Sequence, residues 1–466
     1  MRLFWIPVSL LMAACAVGPD YQPPHFAAPA TFANTTAAGI SPQSTAIRWW
    51  EKFADPTLNN LVTEALRANP DLRIASASLL EARAARQLSQ FDLFPTFNVI
   101  ASDKEQVRSK GQFGTSFNRS ANFNLISTGF DATWELDFFG RIRRGIEAQT
   151  SEAEAVENER RDVIVSLVAE LARNYFELRG TQHQLTVARK NADNQAATLK
   201  YTQARLRGGQ GTALDTARAE EQLNSTLAII PPLTANIQKA IHRLSVLVGK
   251  EPTALKHQLE TEAPLPQVPP LIGISNPAQL LQRRPDIRVA ERGLAAATAR
   301  IGVATADLFP RVTFVGTIAL EARTLSGLGA MGSDTYSFGP AIRWAAFDLG
   351  RVYTRIKAAD ARAVGSLAFY EKTVLRALEE TENALLVYGT LQQRRDYFRA
   401  AVAAGEKAAH LARLRYQDGV ADFLTVLDAE RRLLESQDRL AQTETETATA
   451  LVAVYKALGG GWEWEV

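Results

Sequence analysis

The chain has 466 residues, with 52 Lys and Arg against 50 Asp and Glu, a net charge of +2 and a mean hydropathy of −0.12. That balance leaves no basic footprint for nucleic acid. After the first residues no stretch approaches the length of a membrane helix, so any crossing uses strands. The five histidines, His25, His183, His242, His257 and His410, are scattered without ligand spacing, so no metal is expected. Gly208-Gly209-Gln210-Gly211 lacks the Lys-Ser/Thr of a phosphate loop, and no catalytic constellation stands out, which argues against an enzyme.

Residues 1–14 read as a signal peptide. Met1-Arg2 supplies one positive side chain, and Leu3 to Met12 is an apolar run of about ten residues, too short to span a bilayer. Ala13-Ala14 places two small residues before Cys15, the only cysteine, which has no internal disulfide partner. The stretch resembles a bacterial lipobox, with Met12 where Leu is usual. Cleavage before Cys15 and lipidation of its sulfur are therefore expected. Ala16 follows, not the Asp of inner-membrane retention, which fits sorting to the outer membrane. An ordinary signal peptide that happens to hold a cysteine is the plainer alternative.

Residues 15–48 have little periodicity and are expected to be extended. A first repeat then spans 49–248. It comprises a helix from Ala75 to Leu93, started by Pro70 and stopped by Pro95, a strand pair over 96–137, a long helix over 141–207 and a return helix over 212–248. Ile126, Thr128, Phe130, Ala132, Trp134, Leu136 and Phe138 alternate with small or polar residues, the period of a strand. Such strands suit a soluble sheet with one covered face, or a membrane barrel with lipid outside and water inside. One strand alone does not decide between them. The Gly- and Ser-rich stretch Ser109 to Ser120 reads as a loop. From Arg141 to Arg207 there is no proline, and 67 residues make a helix of about 100 Å. Pro231-Pro232 predicts a kink or break in the return helix.

A Pro-rich linker covers 249–277, and a second repeat covers 278–461. The phrases "NPDLRIASASLLEARAARQLSQFDLFP" from Asn69 and "RPDIRVAERGLAAATARIGVATADLFP" from Arg284 align without a gap at an offset of 215. "WELDFFGRIRRG" from Trp134 answers "WAAFDLGRVYTR" from Trp344 at an offset of 210. The duplication predicts the same order of elements: a helix, a strand pair over 311–347, a long helix over 351–416 and a return helix over 422–458. Tyr336, Phe338, Pro340, Ile342 and Trp344 form the apolar face of the last strand, and Leu325 to Ser333 the loop before it. Residues 462–466 are a tail.

In order along the chain, "GPDYQPP", "WWEKFADPTLNNLVTEALRANPDLRIA", the two "DLFP" phrases, "LDFFGRIRRG", "VLDAERRLL" and "LVAVYKALGGGW" closely resemble the outer membrane efflux lipoproteins, the OprM/NodT-like branch of the TolC (outer membrane factor) family. The resemblance covers nearly everything after Cys15. It implies a mainly α fold with a membrane β-barrel: a homotrimer in which each chain gives four strands to a shared twelve-stranded barrel and long helices to a periplasmic α-barrel. Four strands leave two open edges, which lipid does not tolerate, so one chain cannot close a barrel alone.

The function implied is a passive exit duct in the outer membrane for drugs or other small molecules, lipid-anchored and extending into the periplasm. Its partners would be a periplasmic adaptor (membrane fusion) protein, an inner-membrane pump of RND type and outer-membrane lipid, with no nucleic acid. No cofactor is expected beyond covalent N-acyl and S-diacylglycerol lipid on Cys15. A duct for type I polypeptide secretion is the alternative within the fold. A non-conducting structural lipoprotein is the alternative outside it, although a spacer would need no alternating strands. The barrel residues expected to face lipid are Phe130, Trp134, Phe338 and Trp344. The helix-tip turns fall at Gly208, Gly209, Gly211 and Gly419. In the resembling family the resting constriction lies just past the second turn, which maps to Leu424, Asp428 and Arg431 in "FLTVLDAERR", with the first turn at Asp215 and Arg218 as the other candidate. Leu424 and Asp428 share a helix face, and an aspartate ring would repel itself unless paired, so closure is expected to depend on pH and salt.

Overall fold

The computed structural model describes residues 16–34, 40–41, 47–107, 122–269, 272–274 and 276–463. Cys15 and the whole loop Ser109 to Ser120 lie outside them. In chain order the elements are β1 (Ile40–Ser41), α1 (Pro56–Ala68), α2 (Pro70–Phe91), β2 (Thr96–Val107), β3 (Asn122–Leu136), α3 (Arg141–Arg207), α4 (Ala213–Leu247), α5 (Lys256–Leu259), β4 (Ile272–Gly273), α6 (Pro277–Arg283), α7 (Pro285–Ala306), β5 (Arg311–Ala322), β6 (Asp334–Arg343), α8 (Leu349–Gln417) and α9 (Phe423–Ala457). Among the described residues no helix is long and apolar enough to cross a membrane.

The chain divides into two compact units, one of Met1–His25, Ser78–Val156 and Val289–Tyr370, the other of Phe26–Ala77, Glu157–Arg288 and Glu371–Val466. The first unit holds an antiparallel sheet in the order β2-β3-β5-β6, so β2 and β6 are its edges. The register opposes Phe130 to Val99 and Ile318, Trp134 to Phe314, Ala132 to Phe97, and Gly316 to Phe338. Side chains two apart share a face, so one face collects Phe97, Val99, Phe130, Trp134, Ile318 and Phe338. The other carries small and polar residues such as Ser127, Gly129, Asp131, Thr313 and Ser337.

Two sequence expectations are corrected. The strand expected to run to 347 ends at Arg343, so Trp344 lies just beyond it. Its partner β5 begins right after Pro310, which has no N–H to extend the ladder. The equivalent Trp134 stays within β3 because β5 pairs along its other side as far as Leu136. The return helix α4 runs unbroken through Pro231 and Pro232. The two lost N–H groups free the carbonyls of Leu227 and Ala228, both on exposed residues where water can serve them. The linker is also less plain than expected, since it contains α5 and β4, and β4 pairs in parallel with β1.

The second unit contains no strand of the antiparallel sheet β2-β3-β5-β6 and holds most of the helical residues. Its core includes Trp49, Trp50, Phe53, Leu58, Tyr175 and Tyr455, all nearly fully buried. Trp49 stacks on Tyr455 at 5.0 Å and Phe53 packs on Phe176 at 4.7 Å. Asp55 caps α1 by accepting from the Thr57 and Leu58 amides, and Tyr175 donates to its other oxygen at 2.7 Å. The duplication appears here as paired roles. Asn69 Nδ2 donates to the Leu247 carbonyl at 2.9 Å, and at the equivalent place Arg284 donates to the Ala457 carbonyl at 3.0 Å.

Candidate duct face and helix-tip site

Two places carry the candidate function. In the helical unit, α3 turns into α4 and α8 into α9 through matching loops. Gln210 N–H donates to the Arg205 carbonyl and Val420 N–H to the Arg415 carbonyl, both at 2.9 Å. Gly209 and Gly419 take φ of +69° and +74° there, the left-handed conformation that glycine adopts without strain at a helix C-terminus. Gly208 and Gly211 lie in the first loop, and a Cβ on Gly211 would sit 3.1 Å from the Leu206 nitrogen. Thr212 and Asp422 then cap the return helices, accepting from the amides of Asp215 and Thr425 at 3.1 and 3.0 Å. Thr425 also donates its hydroxyl to Asp422, and these bonds hold the Asp422 carboxyl below the usual carboxylate range.

The second tip has its own small core. Tyr416, Phe423 and Val426 pack with Ala219 and Ala412, and the Arg205 guanidinium lies 4.8 Å over the Tyr416 ring. Burial pushes the Tyr416 hydroxyl up, against the opposing charge of Arg205. Around this core Leu424 is half exposed, and Asp428 lies four residues on along α9. An open groove of about 680 Å³ is lined by Leu424, Asp428, Arg415, Asp422 and Arg432 among others. Arg431, named from sequence, reaches Asp428 at 3.5 Å, but Arg432 is nearer at 2.9 Å. Sequence reading missed Arg432, although its i, i+4 spacing from Asp428 in "DAERR" was the available signal. One carboxylate thus serves two arginines on the exposed surface, where each pair contributes under about 1 kcal/mol.

The second place is the sheet. Phe130, Trp134 and Phe338 lie on its apolar face, 62%, 37% and 73% exposed within one chain. So large a bare apolar surface calls for a non-aqueous neighbour. Trp344, past the end of β6, is also exposed. The residues next to Cys15 are tied to the base of this sheet. Val17 N–H donates to the Phe139 carbonyl at 3.2 Å, and Arg144 binds the Val17 and Gly18 carbonyls and the Asp20 carboxylate. Tyr21 donates to Glu291 on α7. Sequence reading missed this clasp because its partners are more than a hundred residues apart.

The sequence profile of outer membrane efflux proteins matches residues 61–250 and 276–460, nearly the whole of both repeats. The chain belongs to the outer membrane efflux protein family. The gap between the two matched segments falls within the Pro-rich linker. The solvent efflux pump outer membrane protein SrpC of Pseudomonas putida is 32% identical over 460 residues, 97% of each chain. The cation efflux system protein CusC of Escherichia coli K12 is 30% identical over 456 residues, 97% of this chain and 98% of that one. The solved outer-membrane channel OprN superposes with a TM-score of 0.91 at 42% identity, covering 96% of this chain and all of that one. The fold of this outer membrane efflux protein is TolC-like, and its family is one of channel proteins, not enzymes.

Proposed function

We propose that this chain is the outer-membrane channel of a tripartite efflux system, a passive exit duct for drugs or other small molecules. Three copies would close a twelve-stranded barrel, with β6 of one chain pairing β2 of the next. A periplasmic adaptor and an inner-membrane pump of RND type would supply cargo and energy. The observation that carries this is the sheet: one face with an apolar band of Val99, Phe130, Trp134, Ile318 and Phe338, one face of mostly small and polar residues, and two edges, β2 and β6, left unpaired within the chain, in a family of outer-membrane channels. SrpC is named for solvents and CusC for cations at similar identity to this chain. Such a spread supports a duct that leaves cargo selection to the pump.

Within this proposal, Phe130, Trp134, Phe338 and Trp344 face lipid, and Cys15 carries the acyl chains. The clasp on Val17 to Tyr21 supports an anchor close to the base of the barrel. Leu424 and Asp428, with Arg431 and Arg432, form the resting constriction at the helix tips. The test is deletion of the gene and return of the wild-type copy in the native host. Accumulation of fluorescent efflux substrates should rise on deletion and fall on complementation. Unchanged accumulation of every substrate tried, with the protein present in the outer membrane, would contradict the proposal.

A further inference from the structure

We infer that Arg311 and Arg343 form a cationic station on the polar face of the sheet, which attracts small anionic solutes such as carboxylates, phosphates and sulfonates. The inference rests on the proposed duct, in which that face lines the water-filled lumen. The two residues stand directly opposite each other at the base of the hairpin β5–β6. Directly opposed side chains in an antiparallel pair have Cβ atoms about 5 Å apart, and like charges there are destabilising. A protein selected only for strand pairing would not place two arginines so.

The duplication supplies an internal comparison. The positions equivalent to Arg311 and Arg343 in the first repeat are Thr96 and Thr133, and these also stand opposite each other. The same backbone site is therefore built with two neutral hydroxyls in one hairpin and two guanidinium groups in the other. Hairpin geometry does not require the charge.

Nor is the charge cancelled locally. Arg311 pairs with Asp307, but that carboxylate is shared with Arg355 at 3.5 Å. Arg343 is exposed, and among the described residues it has no ion-pair or hydrogen-bond partner. Two further acids lie at this end of β3, and both are already paired: Glu135 with Arg141 at 2.7 and 2.8 Å, and Asp137 with Arg143 at 3.2 Å. The patch keeps an excess of positive charge. In a trimer it would recur three times, alternating with the threonine pairs around the base of the barrel. A lumen lined this way raises the local concentration of anions.

The test uses Thr313→Cys as a reporter. Thr313 lies on the same face, two residues from Arg311 and opposite Ala341, which is itself two residues from Arg343. The full-length trimer in outer-membrane vesicles is treated with a sulfonatoethyl and with a trimethylammonioethyl methanethiosulfonate, and the protein without the reporter is treated in parallel. At about 0.01 M salt, where the Debye length is ~30 Å, the ratio of anionic to cationic labelling rates should fall about fivefold when Arg311→Thr and Arg343→Thr are added. Arg343→Thr alone, which breaks no ion pair, should give part of that fall. The difference should shrink at 1 M salt, where the Debye length is ~3 Å. An unchanged ratio in a trimer that labels normally would overturn the station and leave the duct standing. A reporter that reacts with neither reagent would overturn both, because the polar face would then not meet water.

Discussion

Trp134 and Leu93 are joined by one hydrogen bond, from the indole Nε1 to the backbone carbonyl at 2.9 Å. Trp344 makes the same bond to Leu308 at 3.0 Å, at the matching place in the second repeat. Leu93 and Leu308 are the leucines of the two "DLFP" phrases, so each tryptophan ties its strand to the turn that ends the preceding helix. An indole with an apolar body and a bonded N–H suits the boundary between lipid and water.

Trp134→Phe should therefore cost only about 1 kcal/mol, the worth of one hydrogen bond. With Trp134 facing lipid as proposed, Trp134→Arg should cost up to ~2–4 kcal/mol near mid-depth and less near the interface. Melting of the detergent-resistant oligomer on gels checks this. Equal melting temperatures for the two variants would place the ring away from lipid.

At the helix tip, Leu424→Ala with Asp428→Ala should raise the resting conductance of the purified protein. Arg432→Ala should loosen closure more than Arg431→Ala, because Arg432 lies nearer to Asp428. Both effects should weaken in 1 M salt, as exposed pairs are screened. If the double variant conducts no more than wild type at any pH, the constriction lies elsewhere, with the first turn at Asp215 and Arg218 next to test.

Stability should depend on pH through Asp162. Burial pushes its carboxyl up, and Asp286 adds to the shift against the attraction of Arg284. A raised carboxyl binds its proton more tightly in the folded state. Folding stability therefore falls as pH rises from about 4, the unfolded value, through the folded value, and is flat above it. Asp162→Asn should stabilise the protein at pH 7, with the gain disappearing below about pH 4. Thermal melts at several pH values in detergent measure it, and a variant less stable at pH 7 would reverse the sign.

The clasp beside Cys15 gives a separate prediction. Gly18 has φ of +93°, and a Cβ there would lie 2.4 Å from the Gly302 Cα. Gly18→Ala should release the segment from α3 and α7 and expose it to limited proteolysis, while the helices stay protected. Cys15→Ser should abolish fatty-acid labelling yet leave the protein in the outer membrane, because one anchor holds far less than a barrel. Labelling that persists in Cys15→Ser would rule out this lipidation site.

Elements with strong local signals were legible in the sequence. The helix α3 follows from 67 residues without proline, and the tip turns follow from their glycines. The strand faces follow from strict alternation. What depends on distant partners was not legible. The end of β6 is set by Pro310 on its neighbour, the course of α4 through Pro231-Pro232 by solvent at the freed carbonyls, and the Arg144 clasp by a segment more than a hundred residues away. The sequence offers both Arg431 and Arg432 to Asp428, and only side-chain geometry shows that Arg432 lies nearer.

The central claim is a conducting assembly of several copies, and single-channel recording of the purified mature protein in planar bilayers tests it most directly. The account predicts discrete openings from an SDS-resistant trimer, with larger conductance in the Leu424→Ala, Asp428→Ala variant. A well-behaved water-soluble monomer that never conducts, in wild type or in that variant, would contradict it.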